Sequence, residues 1–154
     1  MEITEATKDD IEGLCELLGL LFAQEAEFRP DSSLQATGLK QIIDFPERGR
    51  VLVLREGALL VGMVNLLFTV STALGGRVAL LEDMVVRPEY RGSGAGSELL
   101  QAAINLAGSS GCRRVTLLTD RTNEVAQRFY ERHGFKISEM LPMRLFLPRS
   151  FSCD

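Results

Sequence analysis

The N-terminal part of the chain places hydrophobic residues at the spacing of one helix face. These positions are Ile11, Leu14, Cys15, Leu18, Leu21 and Phe22. Thr7 and Asp10 stand three residues apart just ahead of them, as in a capping box, so the pattern predicts an amphipathic helix. A weaker alternation over residues 2–6 predicts an edge strand before this helix.

A second, shorter helix is predicted further along. Ser32 or Ser33 is expected to cap it, since a hydroxyl oxygen can accept hydrogen bonds from the first amides of a helix. Its apolar positions extend to Ile42 and Ile43. Pro46 then stops it, because proline has no N–H to continue the hydrogen-bond ladder.

The middle of the chain changes to runs rich in β-branched and aliphatic residues, which favour strands. Arg-Glu-Gly at 55–57 and Ala-Leu-Gly-Gly at 73–76 interrupt these runs and predict two hairpin turns. The run at 77–86 predicts a further strand, buried along much of its length.

The second half of the chain alternates between helical and extended patterns. The predicted elements are a helix opened by the glycines at 92–96 and ended at 108–111, a strand at 114–119, a helix at 122–132, and strands at 135–139 and 143–147. This order contains one βαβ crossover after an antiparallel run. We therefore expect a single α/β domain over residues 1–154, with a mixed, mostly antiparallel central sheet flanked by helices.

Composition narrows the class of protein. A chain of 154 residues with a net charge of −4 and a pI near 5.1 is globular and offers no basic surface for nucleic acid. Three scattered cysteines lack metal-ligand spacing, so we expect no metal site and a reducing, cytoplasmic location. Residues 58–76 are uncharged, but Asn65 and three hydroxyl side chains favour a strand and turn over a membrane span, so no membrane partner is expected.

Three glycines within five positions, at 92–96, precede a stretch of helix-forming residues. Because glycine has no side chain, several backbone N–H groups at a helix N-terminus can point at one phosphate or pyrophosphate. The glycines could also serve only a tight turn. A Walker A loop is excluded because Ser97 and Glu98 replace its lysine and hydroxyl residue. A dinucleotide fingerprint lacks its third glycine, but Asp120 follows at the distance of a ribose-binding acid, so an NAD-dependent oxidoreductase stays open as a minority interpretation.

The third interpretation of this loop is the pattern R-x-x-G-x-G, formed by Arg91, Gly94 and Gly96. A second pattern, N-x-x-A-x-x-F-Y-x-x-x-G-F, is formed by Asn123, Ala126, Phe129, Tyr130, Gly134 and Phe135. Together, in this order, the two patterns resemble the GCN5-related N-acetyltransferase (GNAT) superfamily. The resemblance is specific from about residue 80 to residue 135, and Ala95 departs from it mildly because a larger aliphatic residue is usual there.

The resemblance implies acetyl-CoA as the co-substrate, held along a splayed strand pair and the glycine loop. The residues it assigns to the cofactor are Met84, Val85, Val86, Arg91, Gly92, Ser93, Gly94, Ala95, Gly96, Ser97 and Asn123. Met84–Val86 would contribute backbone groups to the pantetheine arm. Asn123 could equally serve as an N-terminal helix cap.

Two residues are candidates for the proton transfers of an acetyltransferase. An amine acceptor must lose a proton before it attacks, and Glu82 and Asp83 are carboxylates in an otherwise apolar strand. Strand alternation predicts that Glu82 and Asp83 lie on opposite faces, and it does not show which of them is the base. The resemblance assigns the base to Glu82. Tyr130 is implied as the acid that returns a proton to the thiolate. His133, at a helix C-terminus, is expected to be structural.

The acceptor is the least determined part of the prediction. Residues 1–30 hold eight acidic residues and two basic ones, which favours a small cationic amine, polyamine-like or an amino sugar, as the substrate. A protein N-terminus or lysine, and a non-catalytic module that only binds acyl-CoA, are the alternatives. A homodimer through strand edges is left open.

Overall fold

The computed structural model describes residues 1–25 and 29–148. The chain divides into two compact units, residues 1–122 and residues 123–154. A single domain over the whole chain stays a prediction.

The first unit contains five strands and three helices. In chain order these are β1 (Glu2–Glu5), α1 (Ile11–Phe22), α2 (Ser32–Ile43), β2 (Gly49–Glu56), β3 (Leu59–Ser71), β4 (Gly76–Val86), α3 (Ala95–Ser109) and β5 (Val115–Leu117). Short 3-10 helices at Lys8–Asp10 and Pro88–Tyr90 precede α1 and α3. The second unit contains α4 (Glu124–Arg132).

The five strands form one sheet in the order β1-β2-β3-β4-β5. β1 to β4 pair antiparallel, and β5 pairs parallel with β4. The turns predicted at 55–57 and 73–76 join β2 to β3 and β3 to β4, and Gly57 and Gly75 adopt positive φ of 61° and 68° there. The parallel pair needs a crossover, which α3 supplies. The predicted mixed, mostly antiparallel sheet flanked by helices is confirmed.

Both faces of the sheet are covered. Val51 and Val53 of β2 pack into a core cluster with Leu14 and Leu17 of α1. Leu52 and Leu54 alternate with the two valines, so they lie on the opposite face, and they are also buried. That second face contacts α3, which buries an apolar stripe. The buried residues of α3 are Ala95, Leu99, Leu100, Ala103 and Ala107.

An ion pair ties the start of α1 to the sheet. The guanidinium of Arg55 donates to both carboxylate oxygens of Asp10, at 2.8 and 2.6 Å, and its Nε donates to the Thr4 hydroxyl. Asp10 also accepts from the backbone N–H of Thr7 at 2.8 Å, as the capping-box spacing predicts. The hydrogen bonds from Arg55 hold the pKa of Asp10 below its usual value.

The prediction that Ser32 or Ser33 caps the second helix is wrong. Asp31 is the N-cap, and its carboxylate accepts from the backbone N–H groups of Ser33 and Leu34 at 3.1 and 3.2 Å. A carboxylate next to the positive end of a helix is favoured over a hydroxyl, because it also interacts with the macrodipole.

The predicted strands at 135–139 and 143–147 do not form in the part of the chain that the structure describes, where residues 135–148 have no strand assignment. Their large apolar side chains are exposed: Ile137 is 76% and Met143 is 95% accessible. Alternating and β-branched residues indicate side chains that would pack well in a sheet. A strand also requires a neighbouring strand to hydrogen-bond with, and these residues carry no information about that neighbour.

Among the described residues there is no helix of the length and apolarity required to span a bilayer. The uncharged segment at 58–76 is the β3 strand and the turn after it, as its strand-forming composition predicts.

Candidate active site

The glycine loop is shaped by backbone conformations that only glycine adopts easily. Gly92 and Gly94 have φ of 78° and 88°, in the left-handed region where a Cβ is strained. Gly94 is the N-cap of α3, which begins at Ala95. The loop therefore turns sharply out of the Pro88–Tyr90 helix and straight into α3.

The backbone just ahead of α3 borders open space at its two left-handed glycines, Gly92 and Gly94. The intrahelical hydrogen-bond ladder begins with the N–H of Glu98 donating to the Gly94 carbonyl at 3.0 Å, so the amides at 95–97 lie ahead of it. A Cβ built at Gly92 or Gly94 would meet nothing within 4 Å. Several N–H donors at the positive end of a 15-residue helix fit a pyrophosphate.

A β-bulge in β4 lies close to this loop in sequence. Val85 pairs with Met63 and Glu82 pairs with Asn65, so two residues of β4, Asp83 and Met84, stand opposite one residue of β3. Asp83 has φ of 55°, and no other non-glycine residue of the described chain has a positive φ. Backbone strain of this kind is typical of a functional position.

The pairing of β4 with β5 ends just before the bulge. The parallel register runs from Ala79 opposite Val115 to Leu81 opposite Leu117, and β4 continues for five more residues beyond it. The backbone of residues 82–86 is thus not paired with β5 in the described register, and the splayed strand pair that the resemblance implies stays a prediction. Met84, Val85 and Val86, assigned to the cofactor from sequence, are in this segment.

The bulge also changes the faces of the two candidate bases. Glu82 is paired with Asn65 and so shares its face, and the side chain of Asp83 reaches the same Asn65, whose Nδ2 donates to the Asp83 carboxylate at 2.6 Å. The prediction that alternation separates Glu82 and Asp83 is therefore wrong, because the extra residue interrupts the alternation. Glu82 is exposed, whereas Asp83 is partly buried.

Asp83 has a perturbed titration. Burial, and secondarily the negative charge of Glu82, raises the pKa of Asp83 from 3.8 to about 6, and the hydrogen bond from Asn65 offsets part of this rise. A carboxyl with this pKa is a stronger base than an ordinary aspartate and is still ionised at neutral pH. Asn65 itself is 2% exposed, and its Oδ1 is unpaired among the described residues.

Asp83 and Asn65 line a cavity of about 310 Å³, which we call the α1–α2 cavity. Its other walls come from α1, α2 and the residues just before α2. The apolar lining residues are Leu18, Phe22, Leu34, Leu39 and Ile42. Gln35 of α2 also lines it and carries a buried Nε2 that is unpaired among the described residues. This cavity has the volume of a small-molecule site.

The second unit holds the two remaining residues assigned from sequence. Asn123 is the N-cap of α4, and its Oδ1 accepts from the N–H of Ala126 at 3.1 Å. The ring of Tyr130 is anchored edge-on between Phe129 and Phe135, with centroid distances of 5.3 and 5.8 Å. His133 places Nδ1 2.9 Å from the Phe129 carbonyl oxygen, which fits its expected structural role.

Sequence reasoning missed Asn65 and Gln35 as site residues. The available signal for Asn65 was its position as a lone amide in the long uncharged run at 58–76, where a polar side chain requires a reason. Gln35 gave no such signal, because polar residues are ordinary on a helix of mixed composition.

Comparisons with known proteins agree with this geometry. A family model for the acetyltransferase (GNAT) family matches residues 14–135. The uncharacterised N-acetyltransferase YhfO of Bacillus subtilis is 33% identical over 139 residues, covering 88% of this chain and 90% of that protein. Glucosamine 6-phosphate N-acetyltransferase of Trypanosoma brucei brucei is 32% identical over 152 residues, covering 96% of each.

A solved structure gives the same result for the fold. An integron cassette protein from the mobile metagenome of Cole Harbour Salt Marsh matches with a TM-score of 0.82 and 28% identity, over 96% of this chain and 91% of that chain. The matched family segment includes the glycine loop, the β4 bulge and all of the α1–α2 cavity lining. The chain therefore belongs to the acetyltransferase (GNAT) family and is an acetyltransferase enzyme.

Proposed function

We propose that this enzyme transfers an acetyl group from acetyl-CoA directly to the amino group of a small primary amine. The observation that carries the proposal is the open N-terminus of α3, whose leading amides follow two left-handed glycines. GNAT acetyltransferases use acetyl-CoA in general, and its pyrophosphate has the charge that these amides favour. The co-substrate supplies an activated acyl group as a thioester.

The residues of the loop and of the β4 edge bind and orient this co-substrate. Arg91 and the backbone of 92–97 would hold the pyrophosphate, and the backbone of Met84–Val86 would pair with the pantetheine arm as an added strand. An N–H at the bulge could also donate to the acetyl carbonyl oxygen. Asn123 is proposed as a further contact, in addition to its role as the α4 cap.

Two proton transfers are proposed on the basis of the resemblance. Glu82 is the base implied by the resemblance, and Tyr130 is the acid for the departing sulfur. Burial raises the pKa of the thiols of Cys15 and Cys112, which disfavours a thiolate nucleophile at either position. Cys153 lies outside the described residues. Transfer without an acyl-enzyme is therefore the simplest course.

The acceptor is proposed to be a small cationic amine, polyamine-like or an amino sugar. The acidic N-terminal region favours a cation, and the relative from Trypanosoma brucei brucei acts on glucosamine 6-phosphate by its name. The volume of the α1–α2 cavity, about 310 Å³, is that of a small-molecule site, which supports a small acceptor. No observation favours the non-catalytic acyl-CoA-binding module.

Changing Ser97 to aspartate tests the phosphate cradle. Ser97 is exposed in the first turn of α3, so a carboxylate there stabilises the free helix by about 0.3–1 kcal/mol. The same charge repels a pyrophosphate, so acetyl-CoA affinity should fall about tenfold or more. Thermal-shift titration measures both effects, with Ser97→Ala as the matched control. Unchanged affinity, or a larger response of the wild type to NAD than to acetyl-CoA, contradicts the proposal.

Tyr130→Phe tests the proposed acid. The phenyl ring keeps the packing against Phe129 and Phe135 and removes only the hydroxyl. Thiol release from acetyl-CoA should slow by about 100-fold with an amine acceptor, while the acetyl-CoA thermal shift stays the same. A variant as fast as the wild type removes Tyr130 from the mechanism.

A further inference from the structure

The α1–α2 cavity contains a polar end and an apolar body. Asp83 and Asn65 form the polar end, joined by their 2.6 Å hydrogen bond. Five leucine, isoleucine and phenylalanine side chains from α1 and α2 line the body. The described charged residues of the lining are Arg29, Asp31 and Asp83, and Glu82 stands beside Asp83 in β4. α1 and α2 contribute no titratable side chain to the described lining.

The polar end requires N–H donors. The Asp83 carboxylate accepts one hydrogen bond from Asn65, which leaves capacity for more, since a carboxylate has about four acceptor sites. The Oδ1 of Asn65 is buried and unpaired among the described residues, a costly state for an amide oxygen unless a ligand satisfies it. A primary ammonium carries three N–H donors and a positive charge, so it can satisfy both groups at once.

We propose that Asp83, held by Asn65, binds the amino group of the acceptor and takes its proton, and that this acceptor has an apolar body that fills the α1–α2 cavity. The inference rests on the proposed acetyl transfer and changes its acceptor: an amine with an apolar body replaces the polyamine or amino sugar, because the cavity lining is mostly apolar. It assigns to Asp83 the role that the family resemblance gives to Glu82.

The proposed step balances as follows. One proton of the bound alkylammonium passes to the Asp83 carboxylate, which leaves a neutral amine with a free electron pair. That pair forms the N–C bond to the acyl carbon, the C–S bond of the thioester breaks, and its electron pair stays on sulfur. The second proton lost by the nitrogen goes to the sulfur, so the products are an amide and a free thiol. Asp83 then returns its proton to solvent.

The raised pKa of Asp83 fits this role. At neutral pH the group is ionised and ready to bind a cation, and its affinity for a proton is higher than that of an exposed aspartate. Glu82 contributes to this by its negative charge. Asn65 acts as a positioning residue, because its hydrogen bond orients the carboxylate and moderates the rise in pKa.

The apolar body predicts a preference among amines. Each methylene of the acceptor that enters the cavity should raise kcat/KM by about threefold to fourfold, the factor expected for burying one CH₂ group. Thiol release with ethylamine, butylamine and hexylamine measures this slope. Glucosamine 6-phosphate and 1,4-diaminobutane serve as the polar comparisons, and either of them exceeding hexylamine overturns the apolar body.

The variant Asp83→Asn tests the base in the 154-residue protein. With hexylamine, kcat/KM at pH 7 should fall at least 100-fold, and the acid limb of the wild-type pH profile near pH 6 should disappear. Asp9→Asn, an exposed aspartate outside the site, is the control and should keep both. Asn65→Ser should move the acid limb to higher pH, because Asp83 loses the hydrogen bond that lowers its pKa. Asp83→Asn with kcat/KM within threefold of wild type and the same acid limb, or loss of that limb in Glu82→Gln alone, overturns the assignment.

Failure of the proposed function gives a different result. A wild-type protein that shows no thermal shift with acetyl-CoA rejects acetyl transfer but still allows the amine site to be tested. Calorimetric titration with hexylamine alone should then show binding that Asp83→Asn weakens at least tenfold. Equal binding by the two proteins, or no binding by the wild type, overturns the site itself.

Discussion

Two aspartates of this fold are both withdrawn from solvent, and their environments differ in what is placed next to them. Asp10 meets the guanidinium of Arg55 through two hydrogen bonds and the N–H of Thr7 through a third. Asp83 meets one amide, from Asn65, and a neighbouring negative charge on Glu82. The pKa of the first is lowered and the pKa of the second is raised to about 6.

The difference distinguishes an acid that serves the fold from one that serves a ligand. Asp10 is compensated by the protein itself, so its ionised form stabilises the native state. Asp83 is left with an uncompensated charge at the edge of a cavity, which costs stability and is typical of sites where a substrate supplies the missing partner. Burial alone does not explain why the pKa of one aspartate is lowered and that of the other is raised. The neighbouring groups explain it.

Removing the partner of Asp10 should have the largest effect. Arg55→Met keeps the aliphatic bulk of the side chain and leaves a desolvated carboxylate without its cation, so the free energy of unfolding at pH 7 should fall by about 3 kcal/mol or more. Because the pKa of Asp10 is lowered in the folded protein, the pair contributes above pH 3.8 and its contribution is lost as the pH falls below that value. Urea unfolding at several pH values measures this.

The matched control for that variant is Arg50→Met. Arg50 pairs with Glu5, whose side chain is 52% exposed, so the loss should stay below about 1 kcal/mol. Equal decreases in the free energy of unfolding for the two variants would show that burial of Asp10 does not make its ion pair more stabilising than the exposed one.

Neutralising Asp83 should have the opposite sign. Asp83→Asn keeps an oxygen that can accept from Asn65 and removes the charge, so the folded protein should gain at most about 3 kcal/mol at pH 7, the equivalent of a pKa rise from 3.8 to about 6. The cost of the wild-type carboxylate appears as the pH rises from 3.8 through about 6, so the gain should vanish near pH 4. Urea unfolding at pH 7 and pH 4 tests both points, and a destabilised variant at pH 7 contradicts the comparison.

The smallest effect is expected next to Asp10 in sequence. Asp9 is exposed, so Asp9→Asn should change the free energy of unfolding by less than about 0.5 kcal/mol at either pH. A larger change would mean that general repulsion among the N-terminal acids, rather than local environment, separates Asp10 from Asp83.

The parts of the fold that could be predicted are those with local signals. Helix α1 follows from its apolar spacing, the two hairpins follow from their glycines, and the α3 N-terminus follows from residues 92–96. The predicted cap of α2, Ser32 or Ser33, lies one or two residues after the actual cap, because Asp31 and the two serines are all good caps and only the backbone decides among them.

The parts that could not be predicted depend on pairing between distant residues. The bulge at Asp83 and Met84 is a matter of register with β3, about which β4 alone carries no information, so alternation gave the wrong face for one of the two acids. The prediction of strands within residues 135–147 is wrong for a related reason, because a strand requires a neighbouring strand to pair with.

The β-bulge in β4, where two residues lie opposite one residue of β3, could be removed by deleting a single residue. Deleting position 83 would let the strand align one-to-one with β3 while Leu81 and Val85, which are 2% and 5% exposed, keep their buried orientation. The sheet could therefore be built from a chain one residue shorter. Such a protein would be a well-folded relative without this acid, and a gap at this place in an otherwise similar sequence would mark a change of chemistry.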